Sequence, residues 1–495
     1  MTGLMRLIFI LAFLYPAFVL AQEEHQHPAP EKLGAVVFPT SCSPEAQRQF
    51  NRAVALLHSF AYRPAEEAFQ NAAEQDPRCA IAHWGIAMTH FHQLWDLPPS
   101  SADTSVGLKE IRQAATLDEA SARERGFIRA LTPVFADADN VPWRTRSSNY
   151  ENAMRDLAAS NPNDVEAQVF YALALISGAS PSDKEHRRQK QAADLLEPLW
   201  HEFPDHPGIA HYLIHACDNQ ELAARGLPAA RAYAGIAPSS PHALHMPSHI
   251  FTRLGLWDDS IASNLAARNA AHQQGDTGEE LHAMDYLVYA YLQSGRDREA
   301  TGVLQQLKAM QNLNVADFKI GYAATAMPVR YIVERKHWSE AASIVNPPGS
   351  AQPHVLAIAV WARGIGFARS GHLQKAEQES ATLRQIERRL RASGDDYWAT
   401  QIDIMEREVA AWSAQAAKKP HLAAAILRNA ADDEDGIEKL PLTPGPIIPA
   451  REQLGDLLLE QGDPAAASRA FQTELVNAPG RRGALQGAAQ SARSR

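Results

Sequence analysis

A chain of 495 residues is longer than one compact core serves and would ordinarily divide into about three domains, unless it is built from repeats. Apolar residues make up 45% and charged residues 21%, a balance that excludes a disordered chain and suits helices packed on helices. The formal charge of −10 argues against nucleic acid and anionic lipid as partners.

Residues 1–21 hold one charge, Arg6, followed by an apolar run from Leu7 to Tyr15 that continues through Pro16 to Leu20. This is the pattern of a secretory signal peptide, with Val19 and Ala21 as the small residues of a cleavage site before Gln22. An uncleaved N-terminal anchor is the alternative, because the run is of borderline length for a membrane span. The expected location is therefore periplasmic or secreted. No later segment is long and apolar enough to span a bilayer once the signal is removed. Residues 22–43, with His25, His27 and prolines, read as a flexible lead-in. The three cysteines, Cys42, Cys79 and Cys217, have no zinc-finger spacing, and no Cys-x-x-Cys-His is present for haem. Export permits a disulfide, and Cys42 with Cys79 is the expected pair, since each sits just ahead of a helix in neighbouring units. Cys217 is then left free.

Residues 44–78 carry Ala53, then Ala65, Phe69, Ala72 and Pro77. Small residues at that spacing let two antiparallel helices approach closely, Tyr62 and Phe69 fill the gap between them, and Pro77 ends the second helix. The frame recurs with Cys217, Ala229, Tyr233 and Pro241, then with Ser248, Gly255, Trp257 and Asn264, then with Val288, Gly295 and Ala300. Near the end it returns with Gly455, Gly462, Ala467, Phe471 and Pro479. It resembles the tetratricopeptide repeat, a helix-turn-helix unit of about 34 residues. The resemblance implies an all-α fold, a right-handed superhelical solenoid over residues 44–495. Within it an irregular segment is expected near 96–148 and a C-terminal capping helix after Arg481. It also implies a scaffold that holds a peptide or protein segment in its concave groove, because such repeats share a shape rather than a chemistry. Four motifs resemble, more closely, an uncharacterised family of exported bacterial repeat proteins. They are HYLIHA at 211–216, PHALHMPSHIF at 241–251, HAMDYLVYAYLQ at 282–293 and TPGPIIPAREQLGD at 443–456. That likeness supplies no reaction.

In tetratricopeptide repeats the first helix of each unit lines the groove through positions six, three and two before, and one after, its small packing residue. Carried onto this chain, counting from Cys217 places His211, His215 and Asp218 there, and counting from Ser248 places His242, His245 and His249. Counting from Val288 adds His282, Asp285, Tyr286 and Tyr289, while Arg330, after Met327-Pro328, stands where His249 stands after Met246-Pro247. His211 with His215, and His245 with His249, are each four apart and share a helical face. These four are expected to converge on one divalent transition metal, zinc or copper, with Asp218 or Asp285 as a ligand or as the hydrogen-bond partner that fixes a tautomer. The bland alternative is a set of half-buried groove histidines bonded to Tyr286, Tyr289 and the carboxylates without metal.

His83, His90 and His92 stand among Trp84, Phe91 and Trp95 and read as packing, and Cys217 reads as a buried, inert thiol. No His-Glu-x-x-His, Gly-x-Ser-x-Gly or phosphate-binding glycine loop is present. Two functions follow from these residues. One is an exported binding scaffold whose groove takes a peptide or protein ligand, with a histidine-bound metal. The other is a metalloenzyme with a mononuclear histidine site in the groove. Whether the chain is an enzyme stays open at this level.

Overall fold

The computed structural model describes residues 31–94 and 98–494. The expected signal peptide and its cleavage site at Ala21–Gln22 lie outside the described residues. Lys32–Arg495 forms one compact unit. Among the described residues it is built of twenty-four helical segments, from Pro44–His58 to Arg482–Arg493, with no strand. It is an all-α solenoid in which each helix packs chiefly on its neighbours along the chain. None of its described helices is long and apolar enough to cross a membrane.

The first pair, Pro44–His58 and Tyr62–Gln75, shows why the chain folds this way. Ser43 accepts the Ala46 N–H at the start of the first helix, and Pro44 occupies the turn where no donor is needed. Ala53, Ala65, Ala68 and Ala72 are wholly buried, so the two helices approach to the limit that a methyl group sets. The same logic closes the C-terminal end, where Gly455 and Gly487 both abut the Phe471 ring. A Cβ built on either would stand 2.5 Å or 2.2 Å from that ring, so no larger residue fits without a shift.

Two expectations about the N-terminal third need correction. Residues 32–43 of the supposed flexible lead-in are docked: Phe38 is fully buried, its ring 5.0 Å from Phe50 and 5.0 Å from Phe127. Lys32 N–H donates to Ser239 Oγ at 2.8 Å and Ala35 N–H to the Asp205 carbonyl at 2.9 Å. Leu33, Val36 and Phe38 are apolar and bury, and polarity of the neighbouring stretch hides this. The segment near 96–148 holds regular helices, Ser101–Ala115 and Ala122–Phe135, with Trp143–Ser160 following. Its repeat character survives as Gly107 packed on Phe135, and Ser121 with Glu124 forms a capping box.

The solenoid coils back on itself. Trp257 Nε1 donates to the Gly480 carbonyl at 3.2 Å, and Arg482 N–H donates to Gln293 at 2.9 Å, so the C-terminal helix rests on the middle of the chain. Between helices Pro420–Glu434 and Ala450–Glu460, residues 437–449 form a strap rather than a short turn. Tyr286 donates to the Thr443 carbonyl at 3.2 Å, Arg330 to the Pro446 carbonyl at 2.9 Å, and Tyr397 accepts the Leu440 N–H at 3.2 Å. The strap is rich in proline, which bars it from helix and leaves its carbonyls in need of outside donors. Groove positions expected to meet a peptide partner are thus met by the protein's own chain. Beside the strap lies a cavity of about 360 Å³, lined by residues that include Arg253, Lys439, Tyr397, Trp398, Glu408 and Glu474.

Candidate functional site

Six histidines line up along three consecutive repeat units. Helix Pro207–Cys217 carries His211 and His215, and its start is fixed by Pro207 and by His206, whose Nδ1 accepts the Ile209 N–H. The next stretch is a helix broken by proline into Pro241–His245 and Pro247–Arg253. At the break, Ser263 from the following helix donates to the Leu244 carbonyl at 2.5 Å. His245 and His249 stay one turn apart across that kink, with ring centroids 5.0 Å apart. Helix Thr277–Gln293, capped by Asp276, brings His282 to within 4.3 Å of the His245 ring.

These side chains form two groups, not one. His211, His215 and His242 each offer a nitrogen within 4.8 Å of the others, and so do His245, His249 and His282. The expected convergence of His211, His215, His245 and His249 on one point is therefore corrected. His242 and His282 are members of the triads, not surroundings. The physical reason lies in the kinked stretch: His242, His245 and His249 fall on one face, and the first of them reaches back to His211 while the others face His282.

The rings are oriented from behind. Nδ1 of His211 donates to the His58 carbonyl at 2.6 Å, that of His242 to Glu279 at 3.1 Å and that of His249 to Asp218 at 2.8 Å. His245 Nδ1 meets Asn264 Oδ1 at 2.6 Å, and the Asn264 amide is turned by its own bond to the Ser260 carbonyl. Each such bond puts the proton on Nδ1 and leaves the Nε2 lone pair for the interior of the triad. His245 Nε2 and His249 Nε2 are 3.0 Å apart, and the buried Nε2 atoms of His211 and His215 have no hydrogen-bond partner.

All six rings are buried. Burial, helped by the neighbouring imidazoles, holds His211, His215 and His245 well below the ordinary imidazole value, and His282 likewise. For His249 burial outweighs the pull of Asp218 and sets the value at about 4. At neutral pH His211, His215, His245, His249 and His282 are uncharged, the form in which imidazole binds metal. Burial opposes the charge on Asp218, but Lys439, Arg253 and His249 hold it well below the usual carboxylate range.

Other expected site residues divide. Asp218 stands behind His249, as a tautomer-fixing partner would. Asp285 does not face the imidazoles: it pairs with Arg330 at 3.7 Å, and burial raises it to about 6 against that pairing. Tyr286 forms a wall, its ring 4.8 Å from His245 and 5.0 Å from His249, while its hydroxyl goes to the strap. Tyr289 lies under Arg330, 5.0 Å from its guanidinium, and beside Arg481. Cys42 and Cys79 are joined in a disulfide with Cα atoms 4.9 Å apart. Cys217 is free and buried, and burial pushes its thiol up to about 12. His83 and His90 pair with Glu110 at 2.7 Å and Asp103 at 2.9 Å.

Sequence spacing does not reveal two further features. Phe60 lies against the first triad, its ring centroid 4.5 Å from that of His211 in an edge-on contact and 5.5 Å from that of His242, in a left-handed backbone conformation with φ of 52°. His58, Glu166 and His206 form a third buried cluster. Here both imidazoles donate to the one carboxylate, at 2.8 Å and 3.1 Å, and their other nitrogens meet Tyr212 and the Ile209 N–H. Every donor and acceptor is spent internally, so this cluster is a hydrogen-bond network that backs His211 and not a metal site.

No protein-family model matches the chain, and no curated protein matches it. Among solved structures it is similar to the P58(IPK) TPR domain at 12% identity, over 91% of this chain and 98% of that one, with a TM-score of 0.23. It is similar to the APC/C hetero-tetramer Cut9-Hcn1 at 10% identity, over 94% of this chain and 78% of that one, with a TM-score of 0.34. It is also similar to Naa15/Naa10 bound to HypK-THB at 10% identity, over 86% and 68%, with a TM-score of 0.24.

Proposed function

We propose that the protein is an exported metal-binding solenoid in which each histidine triad holds one transition-metal ion. The observation that carries this is the tethering of His211, His242, His245 and His249 through Nδ1, which leaves Nε2 to converge within each triad. Burying an imidazole nitrogen without a partner costs about 1–3 kcal/mol, and a core that only packed would use apolar side chains there. A metal ion in the first triad removes that cost for His211 and His215, and one in the second triad separates the two nitrogens of His245 and His249 that face each other at 3.0 Å. Neutral imidazole suits copper and zinc. Metal analysis of protein purified from an exporting host tests the reading. The expected result is metal in near-integral amount, and protein that carries none and takes up neither zinc nor copper contradicts it.

A scaffold for a protein partner is the second reading, and the strap favours it. Tyr286, Arg330 and Tyr397 already hold a non-helical segment in the groove, so a partner segment would take the place of residues 437–449. Amide exchange along the strap measures this. Rapid exchange at Leu440 marks a groove that opens, and protection equal to that of the helices counts against a partner there.

A further inference from the structure

The triads abut. The rings of His215 and His249 are 6.1 Å apart and those of His242 and His245 are 6.2 Å apart, scarcely more than the separations within each triad. One kinked stretch, Pro241–Arg253, supplies His242 to the first triad and His245 and His249 to the second. We propose that the two triads form a single dinuclear copper centre that takes up a diatomic molecule, dioxygen, between its two ions. This rests on the reading that the triads bind metal.

Charge selects the metal. Imidazole ligates a metal in its uncharged form, so six such ligands bring no charge, and the carboxylates behind them are already matched: Asp218 by Lys439 and Arg253, each at 2.9 Å, and Glu279 by Lys319. Two divalent ions would bring four uncompensated charges into a site whose rings are almost wholly buried, where each added charge is taken out of water at a large cost. Monovalent copper halves that charge and accepts a small set of neutral nitrogen ligands. Three ligands leave a position open on each ion, and because the triads are side by side the open positions share one space.

That space admits only a small molecule. Phe60 covers the first triad, Tyr286 covers the second, and the groove cavity beside the strap is lined by none of the six histidines. Phe60 is held in a left-handed conformation that is strained for a non-glycine residue, a strain the surrounding fold sustains over the triad. The electron balance suits a buried site. Each cuprous ion gives one electron to dioxygen, leaving two cupric ions and peroxide between them. The two charges gained by the metals equal the two gained by the ligand, no proton moves, and the net charge of the centre is unchanged.

The test uses the mature chain loaded anaerobically with Cu(I), then exposed to air. The expected result is two copper ions per chain, loss of Cu(I) on exposure, and little cupric paramagnetic resonance signal because the two spins couple through the shared ligand. The full signal of both ions should return on acid denaturation. His215→Gln should bind one copper and give an uncoupled cupric signal. One copper per native chain, two with full uncoupled signal, or two that stay cuprous in air overturns the proposal. Protein that takes zinc in the triads but no copper also overturns it while leaving the metal-binding solenoid intact, and protein that takes no metal overturns both.

Discussion

His245 Nε2 and His249 Nε2 face each other across 3.0 Å, each ring held from behind, one by Asn264 and the other by Asp218. With both protons drawn to Nδ1, two lone pairs oppose one another, an arrangement that a cation between them turns from repulsive to attractive. Bonds of about 2.0–2.1 Å to a tetrahedral ion place ligand nitrogens about 3.3 Å apart, close to the spacing the fold already provides.

His249→Ala and His215→Ala are expected to remove one metal ion each, and the double variant both, as measured by elemental analysis after desalting. Circular dichroism should stay helical, because the repeat contacts are made by other side chains, while the buried cavities lower stability by about 1–3 kcal/mol each. A double variant that keeps two ions per chain contradicts the assignment of ligands.

Glu279→Gln leaves His242 in place but removes the carboxylate that orients it. Metal affinity at the first triad should fall about 10–100-fold in a competition titration with a chelator, while the second triad is little changed. Asp218→Asn should do the converse, acting through His249. Equal weakening of both ions by either variant would show that the carboxylates act by charge alone.

The repeat frame is legible in the sequence because close helix crossings force small residues. Cys217 illustrates it: a Cβ added to Gly226 would fall 2.6 Å from the Cys217 Cβ, so the thiol is a packing residue. The triads are half legible. Four-residue spacing pairs His211 with His215 and His245 with His249, but the third member of each triad comes from another helix, and no spacing along one helix reports it. The strap is not legible at all, since the donors that hold Gly445 and Pro446 come from Arg330, far away along the chain. The same is true of His58, Glu166 and His206, which three distant segments bring together.

The Cys42–Cys79 disulfide closes a loop over a sequence separation of 37. Chain-entropy reasoning gives about 3–4 kcal/mol for a loop of that length. Cys42→Ser with Cys79→Ser should therefore lower unfolding stability by roughly that amount in urea titrations, with metal content unchanged. Native Cys217 should resist alkylation, since its thiol is buried and raised to about 12.

Glu408, buried, and Glu434, half-buried, lie beside the cavity, where Trp361 and Gln453 donate to the first and the Ala450 N–H to the second. Burial raises both, Glu434 to about 7 and Glu408 well above its usual value with the charge of Glu434 adding to the effect. A carboxyl raised in the folded state contributes most below its unfolded value of about 4.3, and that contribution is lost as pH rises through the folded value. Stability should accordingly fall by about 1–3 kcal/mol on this account between pH 5 and pH 8, and Glu434→Gln should flatten the slope. Stability that rises over that interval equally in wild type and variant would refute the assignment.

Anomalous diffraction from crystals of the protein loaded with copper or zinc tests the central claim most directly. Two peaks are predicted, one within about 2.0–2.1 Å of nitrogens from His211, His215 and His242, the other equally placed for His245, His249 and His282. A single peak shared by His211, His215, His245 and His249, or imidazoles with no peak among them, would contradict it.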